Sequence, residues 1–421
     1  VIPAAFRVRS FRFQMPADLL TSWAFEMETL ILGWYVMVNT GSVVLLTAFA
    51  SLQQLGTLAA PMFGVLGDRL GGRVMLCAMR ATFAGLAAIL MILALTGTLT
   101  PAWVFAVAVV AGIVRPNDQV IRNALIGETI PPAHLVGALG VSRATMDSAR
   151  VAGALAGAGL STVLGIGYTY VVVTGFYLAS LALTFGVARR PPYAAFGAPA
   201  STGLPRSSRW ADLRDGLAHV FQTPALLAMM WLAFLVNLTA YPASSGLLPY
   251  VARRVYEVDA AGLGWLVASF SLGGLLASIT MVVTGGLRRP ERSTLVHTAI
   301  WYALLLVFGH MPNLGGALLV LFAAGFVQNV AMISMAATLL AAAGDGFRGR
   351  VMGVRMLAVY GMPLGLIASG ALIERIGYPL TITALAVVGL VFTVLIGVRW
   401  RASMWHEGPL RTRPASVPQR V

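Results

Sequence analysis

Apolar runs of bilayer-spanning length recur from one end of this chain to the other, and they leave few folds open to it. A membrane-crossing helix needs about 20 mainly apolar residues. Twelve such runs cover residues 15–38, 43–66, 74–96, 101–124, 144–164, 168–187, 225–250, 261–283, 293–311, 315–342, 354–375 and 379–399, separated by short polar or Gly/Pro turns. With 58% hydrophobic residues, 10% charged residues and a mean hydropathy of +0.83, the chain cannot cover a soluble globule with polar surface. The runs are continuous, without the alternation of a membrane β-barrel. The expectation is an all-α membrane protein with twelve transmembrane helices.

The net charge of +14 comes from 29 basic residues, every one an arginine. With both termini placed in the cytoplasm, most arginines fall in cytoplasmic segments or at cytoplasmic helix ends. Arg253, Arg254 and Arg375 fall outside, and Arg115 lies within a span. This positive-inside asymmetry accounts for the charge without a nucleic-acid partner. A bacterial inner-membrane location follows as the expectation, with the first run retained as a signal anchor. The lone Cys77 excludes an internal disulfide. No phosphate-binding loop, zinc-binding HExxH or nucleophile elbow is present, so no enzyme activity, cofactor or metal is expected.

One long polar insert, residues 188–224, divides the chain into residues 1–187 and 225–421. Its second part places Trp210, Leu213, Leu217, Val220 and Phe221 on one face of a helix, as for an element lying in the membrane interface. The halves are weakly self-similar: Gly140-Val141 answers Gly353-Val354, and Gly157 answers Gly370, at one shared offset.

Between the second and third runs stands Gly64-Val65-Leu66-Gly67-Asp68-Arg69-Leu70-Gly71-Gly72-Arg73. Its glycines suit a tight turn, while Arg69 and Arg73 hold that turn on the cytoplasmic side. The string resembles the loop signature of the major facilitator superfamily, G-x-L-A-D-R-x-G-R-K, with Gly67, Gly72 and Arg73 as departures. The resemblance implies two pseudo-symmetric six-helix bundles, with helices one, four, seven and ten around a central cavity. It also implies a gating role for Gly64, Asp68, Arg69, Gly71 and Arg73. In that role Asp68 contacts the N-terminus of helix eleven near Arg350 to Gly353, where a carboxylate gains about 1–2 kcal/mol. The corresponding loop, Gly285 to Pro290, lacks the acid.

Three further stretches resemble bacterial drug and siderophore proton antiporters of the enterobactin-exporter type. They are Met27-Glu28-Thr29 through Gly33-Trp34 to Ser42, Gly153-Ala154-Leu155-Ala156-Gly157, and Arg348-Gly349-Arg350-Val351-Met352-Gly353 leading to Pro363-Leu364-Gly365.

An ionised side chain at mid-bilayer costs about 2.5–3.5 kcal/mol, so each one in a span asks for a reason. Glu26 and Glu28 sit in the first run, about 200° apart around a helix, and cannot both face one cavity. Glu26 shares its side with Ser22, Thr29 and Gly33 and is favoured for the cavity. Asp118 lies between Arg115 and Arg122 on one helix face and is read as part of a local ion-pair ladder. Glu26, Glu28, Asp118 and Arg115 are the candidates for proton coupling. Asp147 is placed at a cytoplasmic helix end. Asn237, Tyr241, Gln328 and Asn329 are the substrate-cavity candidates, and Gln53 and Gln54 are read as packing between the halves. Either acid of the first run, and the Gln-Asn pair, could equally be interhelical glue.

The reading is a monomeric secondary transporter with a small-molecule substrate, protons and the lipid bilayer as partners. Proton-driven efflux of small amphipathic compounds is the favoured direction, through a cavity expected to be apolar with few fixed charges. That lining suits lipophilic cations, neutral dyes or an aromatic siderophore. The alternatives are an importer or facilitator on the same fold, and a non-transporting membrane partner or sensor.

Overall fold

The computed structural model describes residues 4–57, 70–130, 132–188, 209–284, 287, 289–344 and 347–405. Among these residues the structure is helical, without strands. Helix α1, Arg9–Thr40, ends at Gly41, whose left-handed φ of 65° lets its N–H donate to the Met37 carbonyl. Ser42 then caps α2, Val43–Leu52, by accepting from the Leu45 N–H at 3.3 Å. Beyond α2 the chain tightens into a 3-10 turn at Leu55–Thr57, where a single unbroken helix was expected. Close contact with the helix at Pro101–Thr129 accompanies the break: Asn117 donates to the Gly56 carbonyl at 3.0 Å, and a Cβ on Gly56 would overlap the Ile113 carbonyl.

Helices α3, Gly72–Leu95, and α4, Pro101–Thr129, follow. The next helical run, Pro132–Thr184, is broken at Gly165 (φ 76°, ψ 169°) into α5 at 132–164 and α6 at 166–184. Helix α7, Arg209–Gln222, leads into α8, Pro224–Tyr241, which continues through two wide π turns, Pro242–Gly246 and Val251–Val255. Then come α9, Ala260–Thr284, α10, Pro290–Phe308, and α11, Leu314–Ala343, capped by Asn313. A broken pair, α12, Arg348–Ala358, and α13, Gly361–Ile376, precedes α14, Tyr378–Arg399.

Eight helical stretches among the described residues are long and apolar enough to cross a membrane. One of them, Val141–Thr184, has 44 residues and is broken at Gly165, ample for two crossings. Helix α1 has the length, but Arg9, Arg12, Asp18, Glu26 and Glu28 interrupt its apolarity.

One apolar cluster is built by residues between Ala24 and Val187, and a second mainly by residues between Val220 and Met404. Two helix pairs join them, α2 with α13 and α5 with α9. Small residues permit the approach: a Cβ on Gly370 would meet Thr47, and one on Gly264 would meet Ala158. The end of α1 also closes against the second half, since a Cβ on Gly33 would stand 3.3 Å from Pro249.

Helices α9 and α11 pack closely, with Gly273 facing the Phe322 carbonyl and Gly325 the Phe270 carbonyl and no room for a Cβ on either. Gly325→Val should force the backbones apart and cost about 1–3 kcal/mol, read as a lower midpoint of thermal denaturation in detergent.

Helix α7 packs on α12, with Gly216 against Arg350 and the His219 ring stacked on Phe347 at 4.3 Å. Val220 is buried in this contact, whereas Phe221 is 66% exposed. The contact is centred on Gly216 and Val220, which puts Phe221 about 120° away at 3.6 residues per turn.

Candidate functional site

A cavity of about 640 Å³ lies between the two sets of helices. That is the scale of a pocket for a drug-sized molecule, about 300–1,000 Å³. Its walls come from α1, the end of α2, α4 and α5 on one side and from α8, α9, α11 and the α12–α13 pair on the other.

On α1 the two acids part company. Glu26 lines the cavity and pairs with the Arg150 guanidinium of α5 at 3.6 Å. Glycine makes that pairing possible: a Cβ on Gly153 would come within 2.7 Å of the Glu26 Cβ, and one on Gly157 within 2.9 Å of the Met27 Cα. Glu28 turns into the bundle, where it accepts from Arg115 at 3.3 Å and from the Tyr177 hydroxyl at 3.0 Å.

Arg115 does not join a ladder with Asp118 on its own helix. Its guanidinium reaches α1 and α2, donating to Thr29 at 2.7 Å, Gln53 at 2.6 Å and the Phe25 carbonyl at 2.9 Å, and lying 4.3 Å above the Phe25 ring. Gln53 and Gln54, expected to pack between the halves, both line the cavity.

Asp118 is buried away from the cavity. It pairs with Arg122, which also faces Asp18, while Asp18 pairs with Arg80 and Arg80 donates to Thr184. Two arginines and two aspartates thus form a neutral buried set joining α1, α3 and α4. Arg80 and Arg122 therefore sit inside the helix bundle, not at its cytoplasmic ends, and Asp18 was missed as an intramembrane acid.

Asp147 likewise lines the cavity instead of sitting at a helix end. It pairs with Arg143 at 3.3 Å and accepts from Ser278 at 3.1 Å, and Asn329 donates to Ser278 at 2.7 Å. This chain of hydrogen bonds runs from α5 through α9 to α11 and commits the Asn329 amide, which also donates to the Gly274 carbonyl at 2.5 Å. Gln328 donates to the Tyr241 hydroxyl at 2.8 Å, and the Tyr241 ring meets Trp301 edge-on at 5.3 Å. Asn237 lines the cavity with its amide bonded back to Ala233 at 2.8 Å.

The lining is thus not poor in charge. Arg115, Arg143, Arg150 and Arg355 border it together with Glu26 and Asp147, beside apolar Phe25, Phe270 and Met332. The arginines of α5 stand at or near the start of the run at 144–164, so the apolar pattern alone puts them at a helix end. Their spacing carried a signal: Arg143, Asp147 and Arg150 follow at i, i+4 and i+7 on one helix face.

Of the loop motif, Gly64, Asp68 and Arg69 lie outside the described residues, as does any contact of Asp68 with α12. Gly71 precedes α3 with φ 85°, and Arg73 donates to the Phe185 carbonyl at 2.7 Å, tying the start of α3 to the end of α6.

The family model described as the Major Facilitator Superfamily matches residues 17–362. Among solved structures, a POT family transporter in complex with 5-aminolevulinic acid superposes with a TM-score of 0.70 at 11% identity, covering 94% of this chain and 96% of that one. The nucleoside transporter NupG superposes with a TM-score of 0.68 at 14% identity, over 94% and 100%. A bacterial homolog of the human lysosomal transporter Spinster, in an inward-facing and unoccupied conformation, gives 0.63 at 17% identity, over 93% and 95%. These likenesses establish a shared fold. No curated protein sequence matches the chain.

Proposed function

This chain belongs to the major facilitator superfamily, and from that premise we propose that it is a secondary active transporter carrying small amphipathic organic molecules across the membrane by proton coupling. In this reading residues 1–187 and 225–421 form two six-helix bundles of a twelve-helix monomer, joined by residues 188–224. The bundles rock about the cavity, in a bacterial inner membrane with both termini cytoplasmic.

One observation carries the proposal: Glu26 and Arg150, from different helices, meet as an ion pair on the cavity wall. A proton on Glu26 removes one partner, frees Arg150 and so changes what the cavity binds and which state it favours. The other charged or titratable groups on the cavity wall are Arg115, Arg143, Asp147, Tyr241 and Arg355. Glu28 and Asp118 lie off this cavity wall, paired with Arg115 and Arg122, which makes Glu26 the coupling acid.

The charge of the substrate sets the direction. A cationic substrate competes with the proton for Glu26, which gives antiport and the efflux favoured by the sequence. An acidic substrate binds the Arg150 that the proton has released, so that proton and substrate travel together and the transporter works in uptake. The surplus of arginine in the cavity favours this second reading.

Expression in an efflux-deficient bacterial host separates them. Efflux predicts lower retention of a cationic dye, reversed by a protonophore; uptake predicts higher retention of an anionic dye, lost with the protonophore. Unchanged retention of both, with the protein present in the membrane, removes proton-coupled transport of this class.

A further inference from the structure

The charges around the cavity do not balance. Arg115 has Glu28, Arg143 has Asp147 and Arg150 has Glu26, each within 4.0 Å. The fourth cavity arginine, Arg355 on α12, has no ion pair or hydrogen bond among the described residues and borders the same space. An unpaired guanidinium inside a helix bundle is costly to keep. Its placement on the cavity wall, not on the lipid-facing surface, makes a travelling partner the natural counter-charge. Arg143 and Arg150 add to the same field, since their side chains remain 57% and 49% exposed despite their carboxylate partners. Charge of one sign within low-dielectric walls concentrates ligands of the opposite sign.

Resting on the transport reading above, we infer that the substrate is an organic anion. Its acidic group is held by Arg355, with Arg143 and Arg150 facing it, and its apolar body lies against Phe25, Phe270 and Met332. A guanidinium suits this task because its planar fork donates two parallel hydrogen bonds to a carboxylate, sulfonate or phosphate. Tyr241, held by Gln328 at 2.8 Å, supplies a hydroxyl on the same wall. The consequence for coupling is definite: the anion and the proton on Glu26 bind cooperatively, because each relieves the charge the other leaves behind.

Three probes of one shape test this: a naphthalene sulfonate, the matching neutral sulfonamide and a naphthyl trimethylammonium cation. Binding is measured on the purified full chain in lipid nanodiscs. The sulfonate should bind about tenfold or more tighter than the sulfonamide, the advantage expected of hydrogen bonds to a charged group. The cation should bind weakest. Arg355→Gln should erase the preference for the sulfonate, and Arg355→Lys should keep part of it. Equal binding of sulfonate and sulfonamide, tightest binding of the cation, or binding of none by the parent protein overturns the inference without recourse to any variant. A preference that survives Arg355→Gln overturns the assignment of that residue. Flux into proteoliposomes keeps the two claims apart: transport of the cation but not the sulfonate ends the anion inference alone, whereas transport of no probe contradicts the transport reading itself.

Discussion

Glu26→Gln is expected to abolish accumulation of substrate against its gradient while leaving exchange down a gradient measurable. Glutamine keeps the size and hydrogen-bonding capacity of the protonated acid, so the cavity persists and Arg150 stays released. What disappears is the return to the charged form and, with it, the link between substrate and proton. A difference of about 1.7 pH units across the membrane supplies about 2.3 kcal/mol per proton, equivalent to about 50-fold accumulation of an anion that moves with one proton and no net charge; the variant should fall to no accumulation. Glu28→Gln should act differently. Its carboxylate is buried between Arg115 and Tyr177, so replacement should lower stability by about 1–3 kcal/mol while uphill transport survives in the folded fraction. Reversal of the two phenotypes, seen in parallel exchange and accumulation assays, would move the coupling acid to Glu28.

Arg80→Met should be the most destabilising single substitution. Arg80 is completely buried, and its loss leaves Asp18 and Asp118 to share Arg122 alone. Removing one partner of a buried ion pair costs about 3–5 kcal/mol, because the remaining charge has nowhere to be solvated. Replacing a complete pair with apolar side chains of similar volume is often neutral, so Asp18→Leu added to Arg80→Met should recover much of the loss. Thermal denaturation in detergent distinguishes the cases. A single variant as stable as the parent would mean that the buried set contributes nothing to holding α1, α3 and α4 together.

The chain announces its membrane helices through the length of its apolar runs, and the loop string at Gly64 to Arg73 announces the family. The facing of α1 was also legible, because two residues of separation put Glu26 and Glu28 on opposite sides of any helix. What the one-dimensional reading missed are partners brought together by the fold. Arg115 has Asp118 three residues away, yet its guanidinium goes to Glu28, Thr29 and Gln53 on other helices. A tertiary contact among several acceptors outweighs a single neighbour on the same helix. Arg143, Asp147 and Arg150 stand at or near the start of the run at 144–164, where the sequence suggests a cytoplasmic helix end, but α5 begins as early as Pro132. The charged part of the helix therefore borders the cavity. The same holds for Arg355, which belongs to α12, a helix set apart from the apolar α13 by the break before Gly361.

The most direct test of proton-coupled transport through this cavity is flux of the naphthalene sulfonate into proteoliposomes under an imposed pH gradient, alkaline inside. The sulfonate stays charged throughout and does not cross lipid as a neutral acid. The account predicts that the parent protein accumulates it above the outside concentration, that an ionophore collapsing the gradient releases it, and that Glu26→Gln only equilibrates it. Accumulation that is the same in Glu26→Gln would contradict it, as would uptake of both the sulfonate and the naphthyl trimethylammonium cation no faster than into protein-free vesicles.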